Sequence, residues 1–114
     1  MQSIKKNSRF RQIYAEGKSR ADRYLVMYRS RSRDGEAHLG ITVSGKIGHA
    51  AVRNRIRRRI REIIRLNGGR IIDGYDIIFV ARKPAPDADY RTLEKSVLKL
   101  MGECGLLKEG SSDE

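Results

Sequence analysis

The sequence predicts one α+β domain, an α/β sandwich in which a mixed sheet is backed by helices in the order α-β-β-α-β-α. Segments with apolar residues every three or four positions predict the helices, and shorter apolar-polar alternating or continuously apolar segments predict the strands. A helical segment separates the second and third strands, which predicts that these two are parallel neighbours. The hydrophobic content of 39% indicates a folded core despite 34% charged residues.

The first helix and the first strand are predicted from residues 7–16 and 20–31. Asn7 or Ser8 is expected to cap the helix, and Gly17 to end it in the left-handed conformation. The apolar face of the helix carries Phe10, Ile13 and Tyr14. The strand alternates between two faces, one with Leu25 and Met27 and the other with Tyr24, Val26 and Tyr28.

The second strand is predicted from residues 37–44. Asp34-Gly35 predicts a two-residue hairpin that joins it to the first strand. One face of this strand is apolar, and the other carries only small or polar residues: His38, Gly40, Thr42 and Ser44. Residues 45–49 form a glycine-bearing loop that leads into the next helix.

Residues 50–66 form the most informative segment, a basic helix with a complete apolar stripe. Seven arginines and one acid, Glu62, lie between residues 53 and 65. The helix buries one face through Val52, Ile56, Ile60, Ile63 and Ile64. Its outer surface therefore carries mainly guanidinium groups, which suit phosphate better than lysine does.

The last third of the chain predicts a central strand and a final helix. Asn67-Gly68-Gly69 ends the basic helix, and residues 75–81 are continuously apolar enough for a central strand. Asp73 and Asp76, on either side of Gly74, are expected to serve in a turn or cap. Asp89 is expected to cap the final helix, whose stripe is Tyr90, Leu93, Val97, Leu100 and Met101. Residues from about 106 to 114 are predicted to fray.

The net charge of +11 and its concentration in one helix indicate a polyanionic partner. A solvated charged face is the alternative, although such faces normally mix both signs. Phe10, Tyr14, Tyr24 and Tyr28 are interleaved with cations, which suits stacking on single-stranded nucleic acid, and their alternative role is in the core. A DNA-binding helix is less favoured, because Asn54 is the only base-reading amide within the arginine run.

The residues predict no active site and no metal site in this chain. His38 and His49 are isolated, and no Cys/His cluster or nucleophile motif occurs in the sequence. Cys104 is the only cysteine, so an internal disulfide is excluded and a reducing compartment fits. No apolar run is long enough to cross a bilayer, and the N-terminus lacks a secretory signal, so a cytoplasmic location and no membrane partner are expected.

The loop and basic helix resemble the signature of the bacterial ribonuclease P protein subunit. That signature is a Lys-x-Gly-x-Ala-Val loop, then Arg-Asn-Arg, then a Lys/Arg-Arg-x-x-Arg-Glu helix. It is matched here by Lys46, Gly48, Ala50 or Ala51, Val52, Arg53, Asn54, Arg55, Arg57, Arg58, Arg61 and Glu62. The resemblance extends over nearly the whole chain, with Phe10, Tyr14 and Tyr28 at the family's aromatic positions. Gly45 and His49 depart from the family pattern.

The resemblance implies a fold like that of domain 2 of ribosomal protein S5, with a left-handed βαβ crossover. It implies a single RNA-binding domain over residues 1–114 that assists a catalytic RNA in removing the 5′ leader from precursor tRNA. The RNA with its Mg²⁺ would carry out the endonucleolytic cleavage, and the protein would have no catalytic residue, metal or cofactor of its own. No DNA partner is expected.

The resemblance also implies two sets of site residues. The catalytic RNA would be bound by Lys46, Arg53, Asn54, Arg55, Arg57, Arg58, Arg61 and Arg65. The leader would be bound by Phe10, Tyr14, Tyr28, Lys5 and Lys18. The alternative hypothesis is an RNA-binding module without enzymatic context, such as a ribosomal protein.

Overall fold

The computed structural model describes residues 1–108, which form one five-stranded sheet with helices on both faces. The strands are β1 (Gln2–Ser3), β2 (Lys18–Ala21), β3 (Leu25–Arg31), β4 (His38–Thr42) and β5 (Tyr75–Ala81). The helices are α1 (Asn7–Glu16), α2 (Ala50–Leu66) and α3 (Tyr90–Glu103). Short 3-10 helices span Gly45–Ile47, Gly68–Arg70 and Ala85–Asp87. The predicted α+β class with a mixed sheet is confirmed.

The sheet has the strand order β1-β4-β5-β3-β2, with β5 in its centre. β5 pairs parallel with β4 and antiparallel with β3, which confirms the predicted parallel neighbours. The hairpin predicted at Asp34-Gly35 is wrong, because β5 lies between β3 and β4. Three consecutive residues of β5, Ile77, Ile78 and Phe79, are fully buried, so this strand requires cover on both faces and on both edges.

Residues 20–31 form two strands instead of the one that was predicted. β2 and β3 are an antiparallel hairpin joined at Asp22. The Asp22 carboxylate accepts hydrogen bonds from the backbone N–H groups of Tyr24 at 2.9 Å and Leu25 at 3.0 Å. It also accepts one from the Ser96 hydroxyl of α3, so a single side chain closes the hairpin and ties it to α3. β1, which pairs parallel with β4, was not predicted.

Substitution of Asp22 is expected to remove a pH dependence of stability. Burial would raise the pKa of Asp22, but the hydrogen bonds from Ser96, Leu25 and Tyr24 outweigh it and hold the pKa below its usual value. A depressed folded-state pKa contributes stability above the unfolded pKa, near 3.9, that is lost as the pH falls through the folded value. Urea melts between pH 3 and pH 6 should show a flatter slope in Asp22→Asn than in the parent. An unchanged slope would contradict this role.

The two faces of the sheet are covered differently. α2 and α3 pack on one face, where the main core contains Leu25, Met27, Leu39, Ile77 and Phe79. α1 packs on the other face with its fully buried Ile13, on the side of the sheet that carries the buried Ile78. One face of the sheet is therefore sealed by two helices, while the other has a single ten-residue helix and remains partly open.

Two predictions about helix ends and caps are wrong and one is confirmed. Lys6, not Asn7 or Ser8, is the N-cap of α1, and it makes no side-chain capping bond. Gly17 is extended (φ −74°, ψ 161°) and is required instead by close approach, since a Cβ there would lie 2.7 Å from the carbonyl oxygens of Arg29 and Ile13. Asp89 caps α3 as predicted by accepting a hydrogen bond from the Thr92 N–H.

Part of the predicted frayed tail is ordered. Leu106 is fully buried, and its carbonyl accepts a hydrogen bond from the Ile72 N–H at 3.0 Å. Leu107 forms an antiparallel bridge with Ile71, and the Lys108 N–H donates to the Arg70 carbonyl at 2.7 Å. A buried leucine and two backbone hydrogen bonds, to Leu106 and from Lys108, therefore hold residues 106–108 in place. Residues 109–114 lie outside the described part of the chain.

Candidate nucleic-acid interface

The basic helix α2 has the predicted bounds and presents the predicted cations. Ile56, Ile60, Ile63 and Ile64 are buried, and Val52 is half-buried, so the apolar stripe is confirmed. Lys46 lies in the 3-10 helix just before α2 and is exposed. The structure therefore brings all eight residues proposed for catalytic-RNA binding onto one element and its leading loop.

Three arginines of α2 also hydrogen-bond to backbone carbonyls of neighbouring segments. Arg55 donates to the Pro86 carbonyl at 3.4 Å, and Arg59 donates to the Ala88 carbonyl at 3.2 Å. Arg57 donates to the Val43 carbonyl at 3.3 Å and to the Asn54 Oδ1 at 3.0 Å. These arginines tie α2 to the residue that follows β4 and to the loop before α3, so part of their hydrogen-bonding capacity is used within the fold.

Arg65 is held by the single acid of the segment. Its Nη2 lies 2.6 Å from Glu62 Oε2, and its Nε donates to Oε1 at 3.0 Å. The hydrogen bonds from Arg65 hold the pKa of the Glu62 carboxyl below its usual value. Arg53, Arg58 and Arg61 have no hydrogen-bond or ion-pair partner among residues 1–108. Arg58 and Arg61 are exposed and are the most available to an external phosphate, whereas Arg53 is half-buried with its Nε enclosed.

The three predicted aromatic residues form a continuous row on the open face of the sheet. The ring centroids of Phe10 and Tyr14 are 6.3 Å apart, and those of Tyr14 and Tyr28 are 5.0 Å apart in an edge-to-face arrangement. The Tyr14 hydroxyl is 2.7 Å from the Thr42 hydroxyl, and the Tyr14 side chain is 37% exposed. At this end of the row, part of the Tyr14 ring is therefore accessible to a ligand.

Phe10 packs directly against the strand β4. It is half-buried over β4, where a Cβ added to Gly40 would lie 2.7 Å from Phe10 Cε1 and Cζ. Gly40 is thus required because the phenyl ring packs directly on the strand. Phe10 therefore fills the space that the small residue at position 40 leaves on this face, and it serves in packing as well as in lining the surface.

The two predicted lysines lie away from Tyr14 and Tyr28. Lys5 precedes α1, whereas Tyr14 lies in its last turn, about 12 Å further along the helix axis. Lys18 pairs with Arg29, while Ser19 pairs with Tyr28, so side-chain alternation puts Lys18 on the opposite face of the sheet from Tyr28. The structure brings the aromatic residues together but does not bring these lysines to them.

Residues beyond Tyr14 extend the open face, and one of them, Arg82, was not identified from the sequence. Val26, Thr42 and Val80 lie side by side across β3, β4 and β5, and all three are half-buried. Arg82 follows Val80 by two positions, so it lies on the same face, where it donates to the Asp22 carbonyl at 2.6 Å. The side chains of β5 alternate between the two faces of the sheet. Extending this alternation one residue past Ala81 places Arg82 on the open face, and this is the sequence signal that could have identified it.

A buried ionic cluster lies at the other end of this face. Asp76 is 6% exposed, its Oδ2 accepts from Arg9 Nε at 2.7 Å, and its Oδ1 lies 2.7 Å from His38 Nδ1. Asp76 is therefore an ion-pair partner within β5, and the predicted turn or cap role is wrong. No group of three or more His, Cys, Asp or Glu side chains suited to a metal ion occurs in residues 1–108.

The described helices include none that is both long and apolar enough to cross a membrane.

Comparison with known proteins gives consistent similarities. The family model "Ribonuclease P" matches residues 1–105. The ribonuclease P protein component of Clostridioides difficile (strain 630) is 44% identical over 99 residues, which are 86% of this chain and 87% of that protein. The corresponding protein of Clostridium kluyveri is 42% identical over 107 residues, which are 92% of this chain and 96% of that protein.

Solved structures are similar over the same extent. The RNase P protein of Staphylococcus aureus superposes with a TM-score of 0.88 at 35% identity, over 95% of this chain and 99% of that one. The RNase P protein of Thermotoga maritima superposes with a TM-score of 0.82 at 32% identity, over 90% of this chain and 97% of that one. Both the sequence and the fold therefore place this chain in the ribonuclease P protein family.

Proposed function

We propose that this chain is the protein subunit of ribonuclease P and that it binds two RNAs on two surfaces. The catalytic RNA binds the outer surface of α2, and the 5′ leader of precursor tRNA binds the open face of the sheet beside α1. The holoenzyme then removes the leader endonucleolytically in tRNA 5′ maturation. Membership of the family supports the partnership with the RNA, and the geometry supports the separation of the two surfaces.

The observation that carries this proposal is the placement of α1 and α2 on opposite faces of the sheet. The stripe of α2 is buried in the main core with Leu39 and Phe79, so its arginine surface points away from the sheet. The row of Phe10, Tyr14 and Tyr28 lies on the other face, beside α1. A folded RNA on α2 and a single strand on the aromatic row can therefore be bound at the same time.

The two surfaces suit different states of RNA. Arginines without partners, such as Arg58 and Arg61, bind closely spaced phosphates of a folded RNA. Exposed rings stack on unpaired bases irrespective of sequence, at about 1–3 kcal/mol per base. The protein contributes binding and orientation, and metal-activated attack of water on the phosphodiester is assigned to the RNA and its Mg²⁺.

Stimulation of leader cleavage tests this function. The purified chain should increase cleavage of a leader-bearing tRNA precursor by the catalytic RNA at low Mg²⁺, where the RNA alone is slow. The chain depleted of RNA should cleave nothing, because the chemical step is assigned to the RNA and its Mg²⁺. An RNA-binding protein outside the enzyme would bind RNA without stimulation, and that result would refute the proposal.

The affinity for the catalytic RNA is expected to depend steeply on salt. Log affinity should fall linearly with log salt, by roughly 0.7–0.9 per phosphate contact. Arg58→Gln should reduce that slope by about one contact, because this side chain is exposed and has no partner within residues 1–108. Arg91→Gln, an exposed arginine of α3, is the control, and filter binding at several salt concentrations is the measurement. Equal slopes for all three proteins would contradict the phosphate contact.

A further inference from the structure

A cleft of about 530 Å³ lies at the outer edge of the sheet, between the N-terminal segment and the second half of α2. Its walls include the apolar side chains of Ile4, Phe10, Ile41 and Ile64, and polar groups, among them Arg61 and Arg65, make up the rest of the lining. No acidic side chain contributes to the lining from residues 1–108. The cleft is separate from the exposed end of the aromatic row, since of that row only Phe10 borders it.

The outer edge of β4 is open inside this cleft. β1 pairs only with His38 and Leu39, and the Leu39 carbonyl accepts the last hydrogen bond, from the Ile4 N–H at 2.9 Å. Backbone groups alternate between the two edges of a strand, so Ile41 presents its N–H and C=O to the same edge as Leu39. Neither group has a backbone partner at that edge in the described part of the chain. A neighbouring backbone donor and acceptor therefore lie beside the apolar side chains of the cleft.

The charge beside the cleft selects the class of occupant. Glu62 neutralises Arg65, whereas Arg61 is exposed and makes no ion pair with any residue from 1 to 108. Arg61 thus provides a phosphate-binding group next to an apolar slot with a backbone donor and acceptor. An unpaired nucleotide has these same parts: a flat apolar base, a hydrogen-bonding edge and a phosphate.

We infer that this cleft holds one unpaired nucleotide of the catalytic RNA. Its base enters between Phe10 and Ile64, its polar edge pairs with the Ile41 backbone, and its phosphate binds Arg61. The inference rests on the proposed function, because the cleft is continuous with the arginine surface of α2. It adds a contact to a base to the phosphate contacts of that surface.

A matched pair of substitutions separates the effect of filling the cleft from the effect of adding a tryptophan beside it. A Cβ added at Gly68 or at Gly69 meets no atom within 4 Å, and neither residue has a left-handed backbone, so both accept a side chain. Gly68 lines the cleft, and Gly69 does not. Gly68→Trp should fill the cleft, whereas Gly69→Trp places the same ring on the adjacent surface. Thermal melts should be similar for the two variants, which makes them a fair comparison.

The first measurement uses nucleoside 5′-monophosphates as probes. In ¹⁵N–¹H spectra of the full chain, millimolar concentrations of at least one of the four should shift the amide signals of Ile41 and Gly68. Ribose 5-phosphate should not, since it lacks a base. Gly68→Trp should abolish the Ile41 shift, and Gly69→Trp should retain it. Equal shifts with ribose 5-phosphate, or no shift with any nucleotide, would overturn the inference.

The second measurement uses the catalytic RNA itself. Gly68→Trp should weaken assembly roughly tenfold or more, as expected for the loss of one stacked base, while Gly69→Trp stays within about twofold of the parent. If the parent chain binds and stimulates the RNA and Gly68→Trp does so equally well, the cleft inference fails while the proposed function stands. If the parent chain does not bind the RNA, the proposed function itself fails.

Discussion

Replacing Asp76 with alanine is expected to lower the free energy of unfolding by about 3–5 kcal/mol. The carboxylate lies near the start of the central strand β5 and is the shared partner of Arg9 from α1 and His38 from β4. Its removal leaves the Arg9 guanidinium, which is only 15% exposed, without its counter-charge. A buried guanidinium without a counter-charge is costly, because the interior of the protein does not replace the hydration that the charged group loses on burial.

Urea and thermal melts of Asp76→Ala measure this effect, with a decrease in Tm of roughly 10 °C or more expected for a domain of this size. Asp73→Ala is the matched control, since it removes an exposed acid three residues earlier and should change stability by about 0.5 kcal/mol or less. A loss below about 1 kcal/mol in Asp76→Ala would mean that Arg9 moves into solvent, and that the cluster does not hold α1 on the sheet.

The first and last residues of three elements with clear apolar patterns were predicted correctly. α1, α2 and β5 have the predicted bounds, because their apolar spacing is unambiguous and their ends are marked by Gly17, by Asn67 and by a continuous apolar run. The order of the strands in the sheet was not predictable in the same way. A turn signal at Asp34-Gly35 reports only local geometry, whereas the insertion of β5 between β3 and β4 follows from the burial that β5 requires on both faces.

The composition of the basic surface was predictable, but the use of each arginine was not. Position in the sequence cannot distinguish Arg58, which is exposed, from Arg57, which bonds to the Val43 carbonyl 14 residues earlier. Likewise, Lys18 follows the first helix closely but lies on the wrong face for the aromatic row, because its register with Arg29 is a tertiary property. The Arg9–Asp76 pair, separated by 67 residues, gave no local signal at all.

Substitutions that weaken RNA binding at α2 are expected to leave RNA binding at the aromatic row unchanged. Arg58→Gln with Arg61→Gln should weaken assembly with the catalytic RNA by roughly tenfold or more, since two phosphate contacts of a permanently charged residue are removed. Both side chains are exposed and without a partner in residues 1–108, so the double variant should melt like the parent. Once assembled at saturating protein, its preference for precursor over mature tRNA should be unchanged, because the aromatic row lies on the opposite face of the sheet.

Tyr14→Ala with Tyr28→Ala is expected to do the reverse. Assembly with the catalytic RNA should be nearly unchanged, while binding of the precursor weakens by about 1–3 kcal/mol for each lost stacking partner and binding of mature tRNA stays the same. Tyr14→Phe is the control, since it keeps the ring and removes only the hydroxyl contact with Thr42.

A core role for the tyrosines would give a different pattern, a large fall in Tm with an unchanged preference for the precursor. Tyr14 is 37% exposed and Tyr28 is half-buried against it, so we expect the cost in stability to stay below the roughly 3–5 kcal/mol of a fully buried aromatic residue. Melts measured beside precursor and mature tRNA affinities separate the two roles, and a fall in stability without a change in precursor preference would refute the leader surface at Tyr14 and Tyr28.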